Sequence, residues 1–437
     1  MSTAVMDVTR TSRWGLPGVR VPGDARQPRP DVLLASGSLL LAGVEPGRRR
    51  TWLTWSEHVS RHGAPPTPDL ATLARRADAA GLRGYGGAAF PTAVKLRAMA
   101  GGRAPLVIVN GMEGEHASAK DGVLLRHAPH LVLDGALAAA RALGAEGVTV
   151  RLAEDRPDLV DAVRVAAAER GARRKVTVSV GPAAFAAGEA TAVINGVVGR
   201  PALPSPLGRP PLAPAGNRAL AWVPGARRPA LVSNVETFAR LALVARGQTA
   251  DSALFTLSGA VARCGVLELP AGSTLRDAVA AAGGLTEPVA TVVTGGWHGR
   301  WVPWSAAQDA VLSRAGLDQV GGRWGAGVFV LLAEALCPVA ALAAVAQTLA
   351  EGSSGQCGPC RVGLPQIASD LADVCAGVSG RLARDELRMS MDSLRGRGLC
   401  AHPTAAVDAL SSALDSVAED LSAHAAGTCT ATRRWQP

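Results

Sequence analysis

The sequence predicts an α/β protein that ends in a helical bundle, and three observations on its 437 residues support this prediction. Apolar, β-branched strands alternate with helices between about residues 105 and 180, as in parallel sheets. A short helix among several strands follows near residue 257. From about residue 330 to residue 425 the pattern is helical. We therefore divide the chain into the segments 1–74, 75–247, 248–308 and 309–437.

The composition excludes several classes of protein. Hydrophobic residues make up 48% of the chain and charged residues 19%, so sizeable cores can form and global disorder is excluded. No stretch has the form of a signal peptide or a membrane span, which predicts a cytoplasmic protein without direct membrane insertion. Any attachment to the inner face of a membrane is expected to go through a partner.

The formal net charge of +9 allows two interpretations. It fits an ordinary surface that uses arginine in place of lysine, and it equally fits an acidic partner such as a small ferredoxin or a membrane redox subunit. The arginines form no basic stripe interleaved with aromatic residues, so nucleic acid is not an expected ligand.

The first segment is expected to contain little regular structure. Residues 1–36 are polar and rich in proline and arginine, which predicts a loosely ordered leader. The leucines at 39–41 predict a short strand. A helix is predicted after Asp69, because Leu70, Leu73 and Ala77 follow at helical spacing.

The second segment predicts a parallel sheet. Its predicted elements are a strand at 105–110, a helix at 131–143, a strand at 148–150, a helix at 159–169 and a strand at 176–180. A proline-rich connection at 201–214 leads towards the third segment.

The third segment predicts a small β module. Its predicted strands cover residues 256–259, 266–269 and 291–293. Its helix begins after Thr274 with Asp277 three residues later, as in a capping box, and ends at the glycine pair 283–284. A short helix that crosses a few strands is typical of a ubiquitin-like β-grasp.

The first motif is the glycine-rich stretch from Gly81 to Lys95, GLRGYGGAAFPTAVK. Gly84, Gly86 and Gly87 would let backbone amides approach an anion closely, and Lys95 would add a point charge for a phosphate. A flexible turn is the alternative. The chain has only three lysines, and two of them fall in this motif and the next, which favours a binding role.

Three further motifs follow, and the first two of them are expected near the ends of predicted strands. Asn110, Glu113 and Glu115 follow the strand at 105–110, and ligands of open α/β sheets lie at the carboxyl ends of strands. Gly188 and Glu189, shortly after Phe185, can open a helix that meets an anion. Asn234 and Thr237 belong to the stretch SNVET. The alternatives are a solvated acidic loop, a strand-to-helix turn and a helix N-cap, respectively.

The fifth motif is Cys357-Gly-Pro-Cys360, with Cys400 much later in the chain. A Cys-x-x-Cys pair is typical of zinc sites and redox dithiols, but a helical context and a distant third cysteine favour an iron–sulfur cluster. Ser354 stands at the next Cys-x-x-Cys interval upstream. Ser354 therefore ligates through oxygen, or the cluster has three irons, or the site is degenerate.

The other four cysteines are assigned on their local sequence. We interpret Cys264 and Cys337 as small core residues. Cys375 is a candidate substitute ligand for the cluster, and Cys429 lies in a frayed tail.

Taken in this order, GLRGxGGAxFPT, NVET and CGPCRxG resemble the NADH-binding flavoprotein subunit of respiratory complex I and its relatives in NAD-reducing hydrogenases and formate dehydrogenases. The stretches GGAAFPTAVKL and VNG are also similar to the C subunit of Rnf complexes. The resemblance covers roughly residues 75–410. It implies an FMN-binding Rossmann-like domain, a soluble-ligand-binding β-grasp module and a helical iron–sulfur domain.

The resemblance also implies an activity and its cofactors. Electrons from NADH would pass through FMN to an iron–sulfur cluster, of the 4Fe–4S type with 3Fe–4S as the alternative, and on to a protein acceptor. It assigns FMN contacts to a set of nine residues: Gly84, Gly87, Lys95, Asn110, Glu113, Gly188, Glu189, Asn234 and Thr237.

The resemblance assigns the remaining roles as follows. Glu115 corresponds to a carboxylate near the nicotinamide, Phe90 to an aromatic ring that holds the adenine, and Phe185 to a tyrosine of the family. The cluster ligands are Ser354, Cys357, Cys360 and Cys400. Two further phenylalanines of the family fall at Ala98 and near Leu212, which leaves an alternative: a non-catalytic or ferredoxin-linked relay or docking subunit that no longer uses NADH.

Overall fold

The structure is a computed structural model that describes residues 32–34, 38–44, 52–102, 104–206, 221–223, 228–249, 251–377, 384–429 and 431. It contains two sheets and a C-terminal helical bundle. Four elements precede the first sheet: β1 (Val32–Leu34), α1 (Trp55–His62), α2 (Leu70–Ala79) and α3 (Thr92–Ala98). The helix predicted after Asp69 is confirmed, and Asp69 caps it by accepting from the backbone N–H of Thr72.

Two predictions for the first segment are wrong within its described residues, and the leader at 1–36 otherwise lies outside the described residues. Val32 to Leu34 form a strand that pairs in parallel with residues 266–267. The leucines at 39–41 form no strand, because their backbone N–H groups donate to the carboxylate of Glu268 at 2.8–3.1 Å. Glu268 is fully buried, so these donors offset the cost of burying its charge.

The first sheet is the parallel sheet that the alternating pattern predicts. Its strands are β2 (Leu106–Gly111), β3 (Val148–Ala153), β4 (Val176–Gly181), β5 (Ala221–Trp222) and β6 (Pro229–Asn234). They lie in the order β4-β3-β2-β6-β5, and β5 alone runs antiparallel to its neighbour. The apolar residues of β2 and β3, except the half-buried Leu106, are buried because helices cover the sheet.

The helices of this region are α4 (Lys120–His127), α5 (Pro129–Leu143), α6 (Pro157–Glu169), α7 (Ala190–Val197) and α8 (Val235–Ala245). Helices α5 and α8 pack closely because Gly135 lies against the backbone of Phe238, where no Cβ fits. Leu212, which falls in the proline-rich connection, lies outside the described residues.

The second sheet has the predicted β-grasp form. Its strands are β7 (Ser252–Gly259), β8 (Gly265–Pro270), β9 (Val289–Thr294), β10 (Arg300–Pro303) and β11 (Val328–Ala333), in the order β1-β8-β7-β11-β9-β10. Its helices are α9 (Leu275–Ala281), α10 (Trp304–Ala307) and α11 (Arg314–Gln319). The capping box of Thr274 and Asp277 is present. Strand β11 pairs with β7 and β9, so this sheet extends beyond residue 308.

The C-terminal bundle consists of α12 (Pro338–Glu351), α13 (Leu364–Ala376), α14 (Arg384–Leu394), α15 (His402–Ser416) and α16 (Ala418–Ala425). A π-helical turn at Pro359–Gly363 precedes α13. Alanine, leucine and valine side chains fill its core. Among the helices of the described ranges, none has the length and apolarity that a bilayer crossing requires.

Candidate functional site

A cavity of about 870 Å³ lies where the first sheet, the β module and the bundle meet. Its size is within the range of cofactor pockets. Ten of the residues singled out in the sequence line it: Gly86, Gly87, Asn110, Glu113, Glu115, Phe185, Gly188, Glu189, Asn234 and Cys400. The cavity therefore collects all five motifs, although they are spread over more than 300 residues of sequence.

The order of strands explains the position of the cavity. From β2 the chain moves outward through β3 and β4, and then returns to β6 on the other side of β2. Ligands of open parallel sheets lie at such a reversal, outside the carboxyl ends of the strands. Asn110, near the end of β2, is the register partner of Asn234, at the end of β6.

The glycine-rich loop is held in place by two backbone contacts. The Gly84 N–H donates to the Phe90 carbonyl at 2.9 Å, and the Tyr85 N–H donates to the Thr237 hydroxyl at 3.0 Å. Gly87 has a φ of +104°, a conformation that favours glycine. Gly84 and Thr237 are not among the lining residues, so within the described chain they hold the loop rather than form the wall.

Lys95 and Phe90 are also outside the lining of the cavity, contrary to the position expected for cofactor contacts. The Lys95 ammonium donates to the Val232 carbonyl at 3.0 Å and lies 5.8 Å from the centre of the Phe90 ring. Burial lowers the pKa of Lys95. The Lys95 ammonium therefore contacts strand β6 and does not reach the cavity wall.

Glu113 forms the turn between β2 and α4. Its φ of +38° is unusual for a non-glycine residue. Its carboxylate accepts from the Ser118 hydroxyl and from the backbone N–H groups of Asp121 and Gly122 at 2.8–2.9 Å. The acidic loop is therefore not simply solvated, because Glu113 caps the first turn of α4 while facing the cavity.

Lys120 forms a buried ion cluster at the floor of the cavity. Its ammonium contacts Asp121 Oδ1 at 2.8 Å and Glu236 Oε2 at 2.9 Å. Burial opposes the charge, but the two carboxylates raise the pKa of Lys120 above its ordinary value. Asn234 donates to the other oxygen of Asp121, which joins α4 to the start of α8. The expected N-cap role of Asn234 is also present, because Asn234 Oδ1 accepts from the Glu236 N–H.

Glu115 connects the first domain to the β module. Its carboxylate accepts from the Trp297 backbone N–H at 2.9 Å and from the Ala117 N–H at 3.4 Å. Gly296, with a φ of +90°, leaves room for this carboxylate. Burial raises the pKa of Glu115 to about 7, although both hydrogen bonds oppose the rise. A carboxyl group at the cavity wall can thus change protonation near neutral pH.

The turn after β4 supplies a third part of the wall. A 3₁₀ turn at Phe185–Gly188 leads to Glu189, which caps α7 by accepting from the Thr191 and Ala192 N–H groups. The Gly188 carbonyl accepts from Asn110 Nδ2 at 2.8 Å. Gly114 packs so closely that a Cβ there would lie 2.8 Å from the Phe185 carbonyl oxygen. Glycine at 114 therefore allows the two loops to meet.

The three cysteines of the fifth motif come together beside the cavity. Burial, with the nearby Cys357 and Cys400 thiols, raises the pKa of Cys360 to about 12. The serine that hydrogen-bonds Cys360 is Ser353, whereas Ser354 accepts from Gln356 at 3.3 Å. Three converging thiols next to a hydroxyl suit an iron–sulfur cluster better than a two-cysteine redox motif.

Three aromatic rings line the same cavity as Cys400. Phe185 stacks on His298 at 4.5 Å between ring centres, and His298 Nε2 lies 3.1 Å from His402 Nδ1. The His402 Nε2 bonds the Leu349 carbonyl at 2.9 Å. Burial and the neighbouring His402 lower the pKa of His298 to about 3, so this pair is uncharged at neutral pH.

Sequence reasoning missed the arginines of the wall. Arg83, Arg314 and Arg323 line the cavity, and the last two come from the β module and its continuation. Arg314 Nη2 donates to the Gly84 carbonyl at 2.9 Å. Arg83 lies within the first motif, whereas no local signal distinguishes Arg314 and Arg323 from the other arginines of the chain, since only the fold brings them to the glycine-rich loop.

Comparisons with known proteins match three separate segments of the chain. The Nuo51 FMN-binding domain matches residues 77–243, the SLBB domain matches 254–296, and the NADH-ubiquinone oxidoreductase-F iron–sulfur binding region matches 340–424. The last two coincide with the β module and the bundle.

Similar curated proteins include the second F-type subunit of the NADH-quinone oxidoreductase of Rhizobium meliloti, 28% identical over 389 residues, which are 82% of this chain and 89% of the relative. They also include the HndC subunit of the NADP-reducing hydrogenase of Solidesulfovibrio fructosivorans, 27% identical over 373 residues, with 79% and 74% of the two chains covered.

Two similar solved structures are of an NAD⁺-reducing [NiFe]-hydrogenase. The H₂-reduced state matches with a TM-score of 0.71 at 28% identity over 82% of this chain, which spans 62% of the hydrogenase chain. The air-oxidized state matches with a TM-score of 0.73 at 26% identity over 94% of this chain and 70% of the other.

Proposed function

This chain belongs to the family of FMN- and iron–sulfur-binding subunits of the NADH-quinone oxidoreductase F type, and on that premise we propose that it carries electrons from NADH through FMN to an iron–sulfur cluster and a protein acceptor. The single observation that supports this order best concerns Cys400. Cys400 lines the cavity and also interacts with the Cys357 thiol. A flavin in the cavity would therefore lie next to Cys400, one of the proposed cluster ligands.

The residues present fit FMN. The cavity has the volume of a cofactor site, and Gly114 and Gly87 have the close packing and the φ that only glycine accepts easily. FMN, when bound, accepts a hydride and releases electrons one at a time. We propose that Gly86, Gly87 and Asn110 hold the flavin. The buried ammonium of Lys120, paired with Asp121 and Glu236, would provide a positive charge at the wall of the site.

The other residues of the wall would orient the donor and set the local field. Arg314 and Arg323 offer guanidinium groups to phosphates, for which their planar donors are suited. Glu115 is the proposed catalytic residue, because its carboxyl lies at the wall and titrates near neutral pH. Phe185, His298 and His402 line the same cavity as Cys400 and would exclude water from that part of it.

The cluster ligands are proposed as Cys357, Cys360 and Cys400, with a serine oxygen or no protein ligand at the fourth position. Ser354 is the position that family spacing assigns, whereas Ser353 is the serine that contacts Cys360. Both the 4Fe–4S and the 3Fe–4S forms fit three thiolates. Substituting each serine with cysteine in turn would identify the position that completes the site.

An anaerobic visible spectrum of the purified protein, followed by titration with NADH, tests the proposed function. We expect flavin and cluster absorption, bleaching of the flavin by NADH, and reduction of an artificial acceptor. Retention of both cofactors without bleaching by NADH, while dithionite still bleaches them, would contradict the NADH step.

Two observations favour a second candidate, a ferredoxin-linked relay. Phe90, the expected adenine contact, is outside the cavity wall, and Ala98 stands at the end of α3 where a second ring is expected. In a relay, reduced ferredoxin rather than NADH would bleach the flavin in the same titration.

The relatives named above are subunits of redox enzymes, so this chain has redox partners. We propose an acidic partner of the ferredoxin type or a membrane redox subunit, on the basis of the net charge of +9. The chain would then act in the cytoplasm, reaching a membrane only through such a partner.

A further inference from the structure

A second group of metal-binding side chains lies at the far end of the bundle. Cys337 caps the start of α12, Cys375 lies in the last turn of α13, His424 lies in the last turn of α16, and Cys429 follows that helix. The ligand atoms of Cys337, His424 and Cys429 all lie within 4.8 Å of one another. The start of α12 and the ends of α13 and α16 thus meet at one cluster of sulfur and nitrogen atoms, which we call the Cys–His corner.

Two thiols and the imidazole of this corner are in direct contact. Cys337 Sγ lies 3.2 Å from His424 Nε2, and the Cys375 thiol hydrogen-bonds that of Cys337. A ring N–H of His424 also bonds the backbone of Cys375. Metal-binding histidines commonly use their second ring nitrogen in this way, which fixes the tautomer and the orientation of the ring.

Burial separates the corner from an ordinary group of core residues. Cys337 is 2% exposed, while Cys375 and His424 are each 8% exposed, within a core of alanine, leucine and valine. A single cysteine in such a core behaves as a small hydrophobe. Two cysteines close to an imidazole, with a third thiol hydrogen-bonded to one of them, have instead the donor set of a closed structural metal site.

The corner is separate from the cysteines beside the cavity. Cys360 precedes α13 and Cys375 lies in its last turn, so helix rise alone places them roughly 20 Å apart. Cys375 therefore does not act as the substitute cluster ligand considered from the sequence. Cys337 and Cys429 likewise belong together, although the sequence suggested a core residue and a frayed tail.

We propose that the Cys–His corner binds one zinc ion through Cys337, Cys375, His424 and Cys429. Zinc favours four ligands of this type in a tetrahedron, with bonds of about 2.0–2.3 Å, which places ligand atoms roughly 3.5 Å apart. The Cys375 thiol, which contacts Cys337, would rotate towards the ion and act as the fourth ligand. On binding, the ion replaces the protons of the three thiols, which pass to solvent, and no group is oxidised or reduced.

The zinc would tie the end of the chain to the bundle. Cys429 and His424 reach back to α12 and α13, so the ion joins residues that are far apart in sequence. The binding free energy then adds to the stability of the folded bundle, because the unfolded chain has no preformed site.

Metal analysis of the full-length protein, purified anaerobically without chelators, tests the proposal. We expect one zinc per chain besides the iron. His424→Ala and Cys429→Ser should lower the zinc affinity by more than the roughly 10–100-fold that loss of an outer contact costs, as measured with a chromophoric chelator. Both variants should keep the flavin and cluster absorption, which shows that they are folded.

Cys264→Ser is the matched control, since Cys264 lies in the β module, and it should leave the zinc content unchanged. Cys400→Ser should lose iron and keep zinc, which separates this site from the proposed cluster. Absence of zinc after its addition to the reduced protein would overturn the proposal. So would a disulfide between two of these cysteines in the anaerobic protein, found by mass spectrometry, or equal zinc binding by His424→Ala and the unmodified chain.

Discussion

Glu115 shows how burial alone changes the chemistry of one residue. The residue is 8% exposed, and burial raises its pKa from 4.5 to about 7. The folded protein therefore favours the protonated carboxyl. The resulting stabilisation is fully present below pH 4.5 and is lost as the pH rises through about 7, by an amount of about 3 kcal/mol at 1.36 kcal/mol per pKa unit.

Glu115→Gln removes this titration while keeping the size of the side chain. We expect the thermal midpoint of the variant apoprotein, relative to the unmodified apoprotein, to increase as the pH is raised from 5 to 8. Glu146→Gln, at an exposed position, is the control and should follow the unmodified protein. Parallel midpoint curves for Glu115→Gln and the unmodified chain would show that the carboxyl does not titrate there.

Lys120 is expected to be essential for stability, because its side chain is about 2% exposed and neutralises Asp121 and Glu236. Lys120→Met leaves the buried Asp121 carboxylate without its cation, while Glu236 keeps its ion pair with Arg240, and this loss costs about 3–5 kcal/mol. Chemical denaturation of the apoprotein measures this loss. Lys175→Met is the control, since Lys175 is exposed and should change the stability by less than about 0.5 kcal/mol. Equal effects of the two substitutions would contradict the ion cluster.

The three lysines also show what single residues reveal before the structure is known. Their scarcity drew attention to the segments of Lys95 and Lys120, of which Lys120 lines the cavity and Lys95 does not. It could not show which groups the two ammonium groups contact. Lys95 donates to the Val232 carbonyl and Lys120 contacts the Glu236 carboxylate, and in each case the partner is more than 100 positions away in the sequence. The side chain that reaches a ligand depends on packing, which a local motif does not encode.

At the scale of elements, the contact between the turn at Phe185–Gly188 and the loop after β2 can be tested with two glycines. Gly114→Ala would place a Cβ 2.8 Å from the Phe185 carbonyl, which should displace the turn and cost about 1–3 kcal/mol. In Gly188→Ala the added Cβ would lie 3.5 Å from its nearest neighbour, the Met112 Cβ, which is an ordinary contact. Because both glycines line the cavity, we expect Gly114→Ala and Gly188→Ala to bind FMN more weakly. Only Gly114→Ala should unfold more easily as apoprotein.

Flavin fluorescence during equilibrium dialysis measures the first effect, and thermal unfolding measures the second. Unchanged FMN affinity in both variants would mean that this turn does not form part of the flavin site.

Local pattern predicts those elements whose partners are near in sequence. The capped helices at Leu70–Ala79 and Leu275–Ala281 are of this kind, and so are β2, β3 and β4, which pair as consecutive strands. The leucines at 39–41 are not, because their conformation depends on Glu268. The strand Val328–Ala333 precedes a helix in one apolar run, and only its pairing with β7 and β9 assigns it to the sheet.

At the scale of the whole molecule, the excess of positive charge should accelerate association with an acidic acceptor. We expect the rate of NADH-dependent reduction of an acidic ferredoxin to fall on the order of tenfold between low salt and 1 M salt, where the screening length is about 3 Å. Stopped-flow kinetics at limiting ferredoxin measure this rate. An artificial neutral acceptor is the control, and a similar salt dependence for both would contradict electrostatic steering.

The family and its cofactors were predictable from the sequence because the glycine-rich, Asn-Val-Glu-Thr and cysteine motifs occur in a fixed order. The complete wall was not, since Arg314, Arg323, His298 and His402 carry no motif. Each of these residues meets the first domain only after the β module and the bundle have docked on it.

This shared wall has a consequence for the order of events during synthesis. The residues that line the cavity begin at Arg83 and end at Ala405. A ribosome that has released only the first sheet presents the glycine-rich loop and Glu115 to water, with neither Trp297 nor His402 yet made. A flavin could not be enclosed at that time, so insertion of the cofactor belongs to the last stage of maturation, after the bundle has emerged.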